Sequence, residues 1–203
     1  MVSVWVFIEE VDAGPSVLGL ELLAKARSLG DVTAVYLGTG SDEAFAALGE
    51  HGASSVLHAD AGDRLPSGPL AAALADRVAV ESPELFLFGQ AYTDRDVAGR
   101  LGVRLGVGVL SNASDVRLTD AGVETDHEIF GGSQVATASS SSGPFLVLIR
   151  PKSFPAEPVG GDAPSVVTLE LPDVGYSEAT VVESHVEEHE GPQLGEAAIV
   201  VSG

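Results

Sequence analysis

The chain has 203 residues, a length that fits one sizeable domain with room for a small appendage. It carries 30 acidic and 10 basic residues, and the formal net charge of −20 argues against nucleic acids and anionic membrane surfaces as partners. The absence of cysteine excludes disulfides, thiol catalysis and cysteine-ligated metals, and it fits a cytoplasmic protein. No apolar run approaches the roughly 18 residues that span a bilayer, so we expect no membrane insertion.

Apolar runs and helical patterns alternate in the first half of the chain. The predicted strands are short apolar runs, many of them rich in β-branched and aromatic residues: Val2–Ile8, Val32–Leu37, Ser54–Leu57 and Leu85–Phe88. The predicted helices span 18–29, 42–48, 69–80 and 94–105, and Gly30 is the expected C-terminal cap of the first. This alternation predicts the α/β class, a parallel sheet with helices on both faces.

The pattern changes after Val107. Three runs separated by turn residues predict an antiparallel β meander within residues 113–150; they are Val123–Phe130, Ser133–Ala138 and Phe145–Ile149. Residues 153–203 contain ten acidic residues and no lysine or arginine, and a cluster of proline and glycine between 155 and 164 predicts a linker. Further strand candidates are Val166–Leu171, Thr180–Val186 and Ala197–Val201.

Polar residues follow the predicted strands at the edge where parallel α/β sheets bind ligands. Glu9, Glu10 and Asp12 follow the first strand, where they are either paired carboxylates for acid–base chemistry or a solvated acidic loop. Gly38–Gly40 (Gly-Thr-Gly) follows the second strand and resembles part of a phosphate-binding loop. It lacks the third glycine of the G-x-G-x-x-G pattern and the Gly-Lys-Ser/Thr of a P-loop, so we interpret it as a turn between strand and helix.

The segment His185–His189 matches the H-x-x-E-H pattern of some zinc peptidases. That chemistry needs both histidines on one face of a helix. The neighbouring residues favour an extended strand instead, in which the two histidines lie roughly 13 Å apart. We expect a solvated acidic strand here, with a zinc hydrolase as the alternative.

Three arginines, Arg95, Arg100 and Arg104, lie on the predicted fourth helix. They form either an exposed, solvated face or a contact with the acidic surface of a partner. The sequence alone leaves both interpretations open.

Two segments of the first half resemble the N-terminal domain of the alpha subunit of electron transfer flavoprotein. Val6–Gly30 is similar to the family's strand ending in Val-Glu-His and its helix containing Leu-Glu-Leu-Leu, with Glu10 in place of the usual histidine. Gly89–Val109 is similar to the family's run of Gly-Arg-Asp followed by a helix. Arg95 and Asp96 fit this pattern, whereas Asp94 stands where the family usually has glycine.

Two further segments follow in the family's order. Gly131–Pro151 resembles the family's meander, which closes on Ile-Arg-Pro and includes Arg150 here. Leu194–Gly203 (LGEAAIVVSG) resembles the opening of the family's second domain. The resemblance implies one domain over residues 1–188, with the meander over 113–150 and an acidic β segment over 165–188. Residues 189–203 would then be a linker and the first strand of an FAD-binding domain that is absent from this chain.

The resemblance also implies a function. In the family, the alpha subunit pairs with a beta subunit and carries FAD, and the complex moves electrons from flavin dehydrogenases to a quinone oxidoreductase. The resemblance implies an adenine-nucleotide-hydrolase-like, Rossmann-like three-layer domain that serves as a scaffold and docks the beta subunit. We therefore expect part of an electron carrier, and not a catalyst, which binds no FAD tightly on its own.

Six residues are candidates for ligand or partner contacts at the sheet edge and near it: Glu9, Thr39, Gln90, Arg95, Asp96 and Arg150. The alternative function is a stand-alone adenine-nucleotide-binding module of the stress-protein type. That alternative would place ATP or AMP near Glu9, Thr39 and Gln90.

Overall fold

Strands and helices alternate up to residue 105, as the spacing of the apolar residues predicts. A computed structural model describes residues 2–174, 180–183, 185, 197 and 199–203. The helices are α1 (Val17–Ala26), α2 (Asp42–Glu50), α3 (Ser67–Glu81) and α4 (Tyr92–Leu105). The strands are β1 (Ser3–Val11), β2 (Gly14–Pro15), β3 (Asp31–Leu37), β4 (Ser55–Ala59), β5 (Leu85–Phe88), β6 (Val109–Ala113), β7 (Asp115–Thr119), β8 (Gly122–Ile129), β9 (Gln134–Ser140), β10 (Phe145–Ile149) and β11 (Ser165–Thr168). Across the described ranges, no helix combines the length and the apolar character needed to cross a membrane.

Seven parallel strands form the main sheet, in the order β11-β4-β3-β1-β5-β10-β6. β1 pairs with β3 on one side and with β5 on the other. Parallel neighbours need crossover connections, which α1, α2 and α3 supply between β1, β3, β4 and β5. The chain adds β3 and β4 on one side of β1 and then crosses to add β5 on the other, so the winding reverses at β1 and β5. The predicted parallel α/β sheet is confirmed.

Alternate residues of β1 enter two separate cores because successive side chains of a strand point to opposite faces. Val4, Val6 and Ile8 pack in a cluster with residues of α1 and α2, and they are almost fully buried. Trp5 and Phe7 pack in a second cluster with residues of α3 and α4. The sheet is therefore the middle layer of three, as predicted.

The last strand of the predicted meander is corrected by the structure. β7, β8 and β9 do form a separate antiparallel sheet. Phe145–Ile149, however, leaves that sheet and lies between β5 and β6 in the main sheet, parallel to both. Residues 146–149 are all buried, and a continuous apolar run of this kind is typical of a strand covered on both faces.

The strand candidates beyond residue 160 have mixed outcomes. The candidate Val166–Leu171 overlaps β11, which ends at Thr168 and lies parallel to β4 at the edge of the main sheet. Of the candidate over 180–186, Thr180 makes an isolated bridge to Arg64, residues 181–183 and 185 are in no strand, and residues 184 and 186 lie outside the described residues. Of the candidate over 197–201, residue 198 lies outside the described residues and the others are in no strand.

Gly30 has a different role from the predicted helix cap. α1 ends at Ala26, with Arg27 as its C-cap in a right-handed conformation. A Cβ at residue 30 would lie 2.2 Å from the backbone oxygen of Val2, which comes just before β1. Glycine is needed because the turn into β3 passes against the start of β1.

We expect Gly30→Ala to lower the free energy of unfolding by about 1–3 kcal/mol, because an added methyl group has no space. Gly99→Ala is the matched control, since Gly99 lies inside α4 and a Cβ there would meet no atom within 4 Å. That control should raise the free energy of unfolding by about 0.5–1 kcal/mol through helix propensity. Urea unfolding of the two variants measures both values, and equal effects would contradict the packing argument.

Candidate functional site

The carboxyl ends of β1, β3 and β5 meet at one edge of the main sheet. In open α/β sheets, ligands bind at this edge where the winding reverses, which here is the crevice between β1 and β5. Glu9 and Glu10 lie within β1 near its carboxyl end, and not after the strand as predicted, because β1 extends to Val11. Thr39 follows β3, and Gln90 follows β5. The fold therefore brings Glu9, Thr39 and Gln90 to the same edge of the sheet.

The carboxylate of Glu10 occupies the donors of the Gly38–Gly40 loop. It accepts hydrogen bonds from the Thr39 hydroxyl at 2.7 Å, the Gly40 backbone N–H at 2.8 Å and the Tyr36 hydroxyl at 2.8 Å. Burial opposes the charge, but these three donors together lower the pKa of Glu10 below its ordinary value. A carboxylate of the same chain occupies these donors, so this loop is a turn fixed by contacts within the fold.

Aromatic rings pack the same loop from the other side. A Cβ at Gly40, whose φ is +73°, would lie 2.6 Å from Cζ of Phe45 and 2.9 Å from Nε2 of His58. The same His58 nitrogen lies 2.9 Å from the Gly38 carbonyl oxygen. Burial, together with the Glu10 carboxylate, raises the pKa of Tyr36 well above its ordinary value. The loop is rigidly held, and the close packing leaves no space over Gly40.

Glu9 and Asp94 act within the fold at the crevice between β1 and β5. The Thr93 hydroxyl donates to Oε1 of Glu9 at 2.8 Å, which ties the end of β1 to the first turn of α4. The buried carboxylate of Asp94 accepts from the backbone N–H groups of Gly89 at 2.6 Å and Ala91 at 3.1 Å. Burial raises the pKa of Asp94 to about 6, and the charge of Glu9 adds to the effect.

Gly89 shows how tightly this crevice is filled. A Cβ at residue 89 would lie 2.4 Å from Cδ2 of Leu18 and 2.9 Å from Oδ1 of Asp94. Leu18 belongs to α1, so that helix and α4 close over the end of β5. Only glycine fits between them.

Gln90 is the candidate residue whose side-chain amide nitrogen lacks a hydrogen-bond partner. Its Nε2 is buried and has no hydrogen-bond partner, one of two such side-chain nitrogens in the part of the chain that the structure describes. An unpaired buried amide costs about 1–3 kcal/mol. Gln90 therefore brings to this edge a buried side-chain donor that has no partner.

The other predicted residues lie away from the crevice. On the outer face of α4, the Arg95 guanidinium lies 5.1 Å from the centroid of the Tyr92 ring, and Asp96 pairs with Arg100 at 2.9 Å. Arg150, at the end of β10, pairs with Glu128 of β8 at 2.9 Å. Arg150 also lines a cleft of about 280 Å³ that includes Ser114, Lys152 and Ser153. The six candidates thus do not form a single site.

Several residues that organise the edge carry no recognisable sequence signal. Tyr36 lies in an apolar strand, where nothing in the pattern distinguishes it from a core residue. Thr93 and Asp94 lie at the start of α4 and look like ordinary helix-start residues, although the carboxylate of Asp94 bonds back to the end of β5.

Among the described residues, no group of three or more histidine, aspartate and glutamate side chains is placed to hold a metal ion. His189 of the H-x-x-E-H pattern lies outside the described residues, and His185 lies 3.2 Å from Glu183.

We expect Asp94 to make the protein less stable as the pH rises. Its folded pKa of about 6 lies above the ordinary value of 3.8, so the folded protein binds the proton more tightly and that stabilisation disappears as the pH passes 6. The loss is about 1–1.5 kcal/mol between about pH 5 and about pH 7. Urea unfolding of the parent chain and of Asp94→Asn at each pH measures this loss. The difference in free energy of unfolding between the two proteins removes the contribution that all other titratable groups make to both. A stability difference that stays constant with pH would contradict the raised pKa.

Comparison with known proteins connects this fold to one family. The family model described as electron transfer flavoprotein domain matches residues 4–174. The electron transfer flavoprotein subunit alpha of Mycobacterium leprae is 29% identical over 208 residues, which cover 100% of this chain and 64% of that protein. The subunit alpha of Mycobacterium tuberculosis (strain H37Rv) is 30% identical over 176 residues, covering 85% of this chain and 54% of that protein.

A protein with a different name is also similar to the chain over nearly its full length. Protein FixB of Clostridium saccharobutylicum is 28% identical over 212 residues, which cover 99% of this chain and 63% of that protein. The chain spans about half to two thirds of the length of the curated relatives described here. Since the family model covers most of the chain and reaches all seven strands of the main sheet, the chain belongs to the electron transfer flavoprotein domain family.

Proposed function

We propose that the chain is the N-terminal domain of an alpha subunit of the electron transfer flavoprotein type, and that it serves as a scaffold for an electron carrier. The match to alpha subunits supports the subunit type. The observation that carries the scaffold role is the filled crevice at the sheet edge. Glu10 occupies the donors of the loop after β3, while Leu18 and Asp94 crowd the end of β5.

The contacts at the same crevice support the proposal that this chain alone does not hold FAD. A flavin dinucleotide brings a pyrophosphate, which needs free backbone N–H groups or cations. At this edge the N–H groups of Gly40, Gly89 and Ala91 already donate to carboxylates. Glu9 adds further negative charge. We propose that FAD belongs to the complete complex, and that the isolated chain binds it weakly or not at all.

A stand-alone adenine-nucleotide module is the weaker candidate. It would require the donors near Thr39 to receive a phosphate, and Glu10 holds those donors. The similar proteins are electron transfer flavoprotein alpha subunits and FixB proteins. The family match and the geometry therefore both favour the scaffold role.

The proposed partners are an electron transfer flavoprotein beta subunit and, through the complete complex, flavin dehydrogenases and a quinone oxidoreductase. We propose Gln90 and Arg150 as contacts with the rest of the complex. Gln90 has an unpaired donor at the sheet edge, and Arg150 lines a polar cleft beside it in the sheet order. Glu9 and Thr39 bond within the fold, and we propose that they position its loops.

The proposed domain division keeps residues 1–188 together and assigns residues 189–203 to a linker and the start of an FAD-binding domain. The described structure supports the assignment of residues up to 168 to one domain, because β11 pairs with β4 in the main sheet. Residues 186–196, where the proposed boundary falls, lie outside the described residues.

Co-expression with an electron transfer flavoprotein beta subunit tests the proposal. We expect the two chains to co-elute in size-exclusion chromatography. We expect the purified chain alone, after incubation with FAD and desalting, to show no flavin absorbance in the visible region. Separate elution would overturn the docking role, and retained flavin at one equivalent would overturn the scaffold role.

The nucleotide alternative has its own measurement. Isothermal titration calorimetry of the chain with ATP or AMP should show no saturable heat, because the internal carboxylate competes for the donors. Glu10→Ala frees these donors and is the matched variant. Saturable nucleotide binding by the parent chain would restore the alternative.

A further inference from the structure

The exposed face of α4 forms a groove with the start of α3. The groove has a volume of about 440 Å³ and lies outside the crevice described above. Seven residues line it: Gly68, Arg95, Asp96, Gly99, Arg100, Val103 and Arg104. We refer to this surface as the arginine groove.

The centre of the arginine groove is apolar and open. Tyr92 lies on the same face of α4, one turn before Asp96, and this residue is 86% exposed, while Val103 is 85% exposed. Between them lies Gly99, where a Cβ would meet no atom within 4 Å. Two large exposed apolar side chains with a notch between them form a shallow binding pocket for an apolar side chain of a partner protein.

The rim of the groove is basic. Arg95, Arg100 and Arg104 are three of only ten basic residues in a chain of net charge −20. Arg95 packs its guanidinium over the Tyr92 ring, which holds it in place before any partner arrives. Asp96 pairs with Arg100, so the lining carries three positive charges and one negative charge. The local charge is therefore opposite in sign to that of the whole protein.

This combination separates a docking surface from a solvated helix face. Solvated arginines need no exposed aromatic ring or notch beside them. Tyrosine and arginine around a small apolar centre are the residue types that dominate the binding energy of protein interfaces. Nucleic acid is disfavoured as the occupant because the remaining charge of the chain would repel a polyanion.

We propose that the arginine groove docks an acidic protein segment that places one apolar side chain over Gly99 and carboxylates beside Arg95 and Arg104. Charge complementarity identifies the partner's chemistry, and the notch identifies the apolar side chain. The groove lies on α4 and the start of α3, outside the crevice at the sheet edge, so the outcomes of the FAD and beta-subunit experiments do not bear on it.

Fluorescence anisotropy with a labelled peptide of sequence EEDLFEED tests the inference, and the peptide QQNLFQQN is its neutral control. We expect the acidic peptide to bind, the neutral peptide to bind at least about tenfold more weakly, and added salt to weaken the acidic complex. Equal binding of both peptides, or no binding of the acidic one, would overturn the proposal.

Variants locate the binding on the protein. Arg95→Gln combined with Arg104→Gln should weaken the acidic peptide about tenfold. Gly99→Leu should also weaken it, because the side chain fills the notch, while leucine keeps the helix intact. Arg77→Gln on α3 is the control, since Arg77 is outside the lining and pairs with Glu81. An equal loss in the Arg77 variant would show that overall charge alone is responsible and would refute the groove.

Two other occupants give distinct results. Displacement of the peptide by single-stranded DNA would identify a general polyanion site and refute a protein partner. Concentration-dependent self-association that Gly99→Leu abolishes would assign the groove to a second copy of the chain and refute a foreign partner. Sedimentation velocity of the parent chain and the variant measures the second result.

Discussion

The burial of β1 on both faces is the constraint on which the rest of the structure depends. Its side chains alternate between two cores, so helices must cover both faces, and its two neighbours must be parallel strands that arrive by crossover connections. That arrangement sends the chain first to one side of β1 and then to the other. The loops after β1, β3 and β5 consequently meet at one edge, and every polar contact described there follows from this topology.

The chain uses that edge to stabilise itself. Carboxylates from Glu10 and Asp94 accept the backbone hydrogen bonds that a bound phosphate accepts in related architectures, and side chains of α1 and α4 fill the remaining space. A crevice with the topology of a ligand site is thus filled by side chains of the same chain. The fold alone therefore says little about function.

The first four parallel strands of the main sheet, β1, β3, β4 and β5, and all four helices could be predicted because their apolar patterns are local. β10 shows the limit of such patterns. Its apolar run marks a buried strand, but no local signal says that it pairs with β5 and β6 across the sheet.

Local patterns predict only part of the candidate site as well. Counting strand ends puts Glu9, Thr39 and Gln90 at one edge of the sheet, whereas the bonds of Glu10 to Tyr36 and of Asp94 to Gly89 depend on tertiary contacts. The pattern around Gly30 predicts a helix cap, but the close approach of Val2, which only the tertiary structure creates, is what requires glycine there.

β11 has a consequence for the integrity of the sheet. All four of its residues are exposed, so it adds little to either core, and its main contribution is the ladder of backbone hydrogen bonds to β4. β4 itself is mostly buried and apolar. Without β11, its backbone donors and acceptors would form an open, flat edge that any other strand could extend. The acidic segment after residue 152 thus protects the edge of the sheet. A chain cut between residues 152 and 165 would leave both cores nearly complete, but β4 would become an unpaired edge strand that is prone to aggregation.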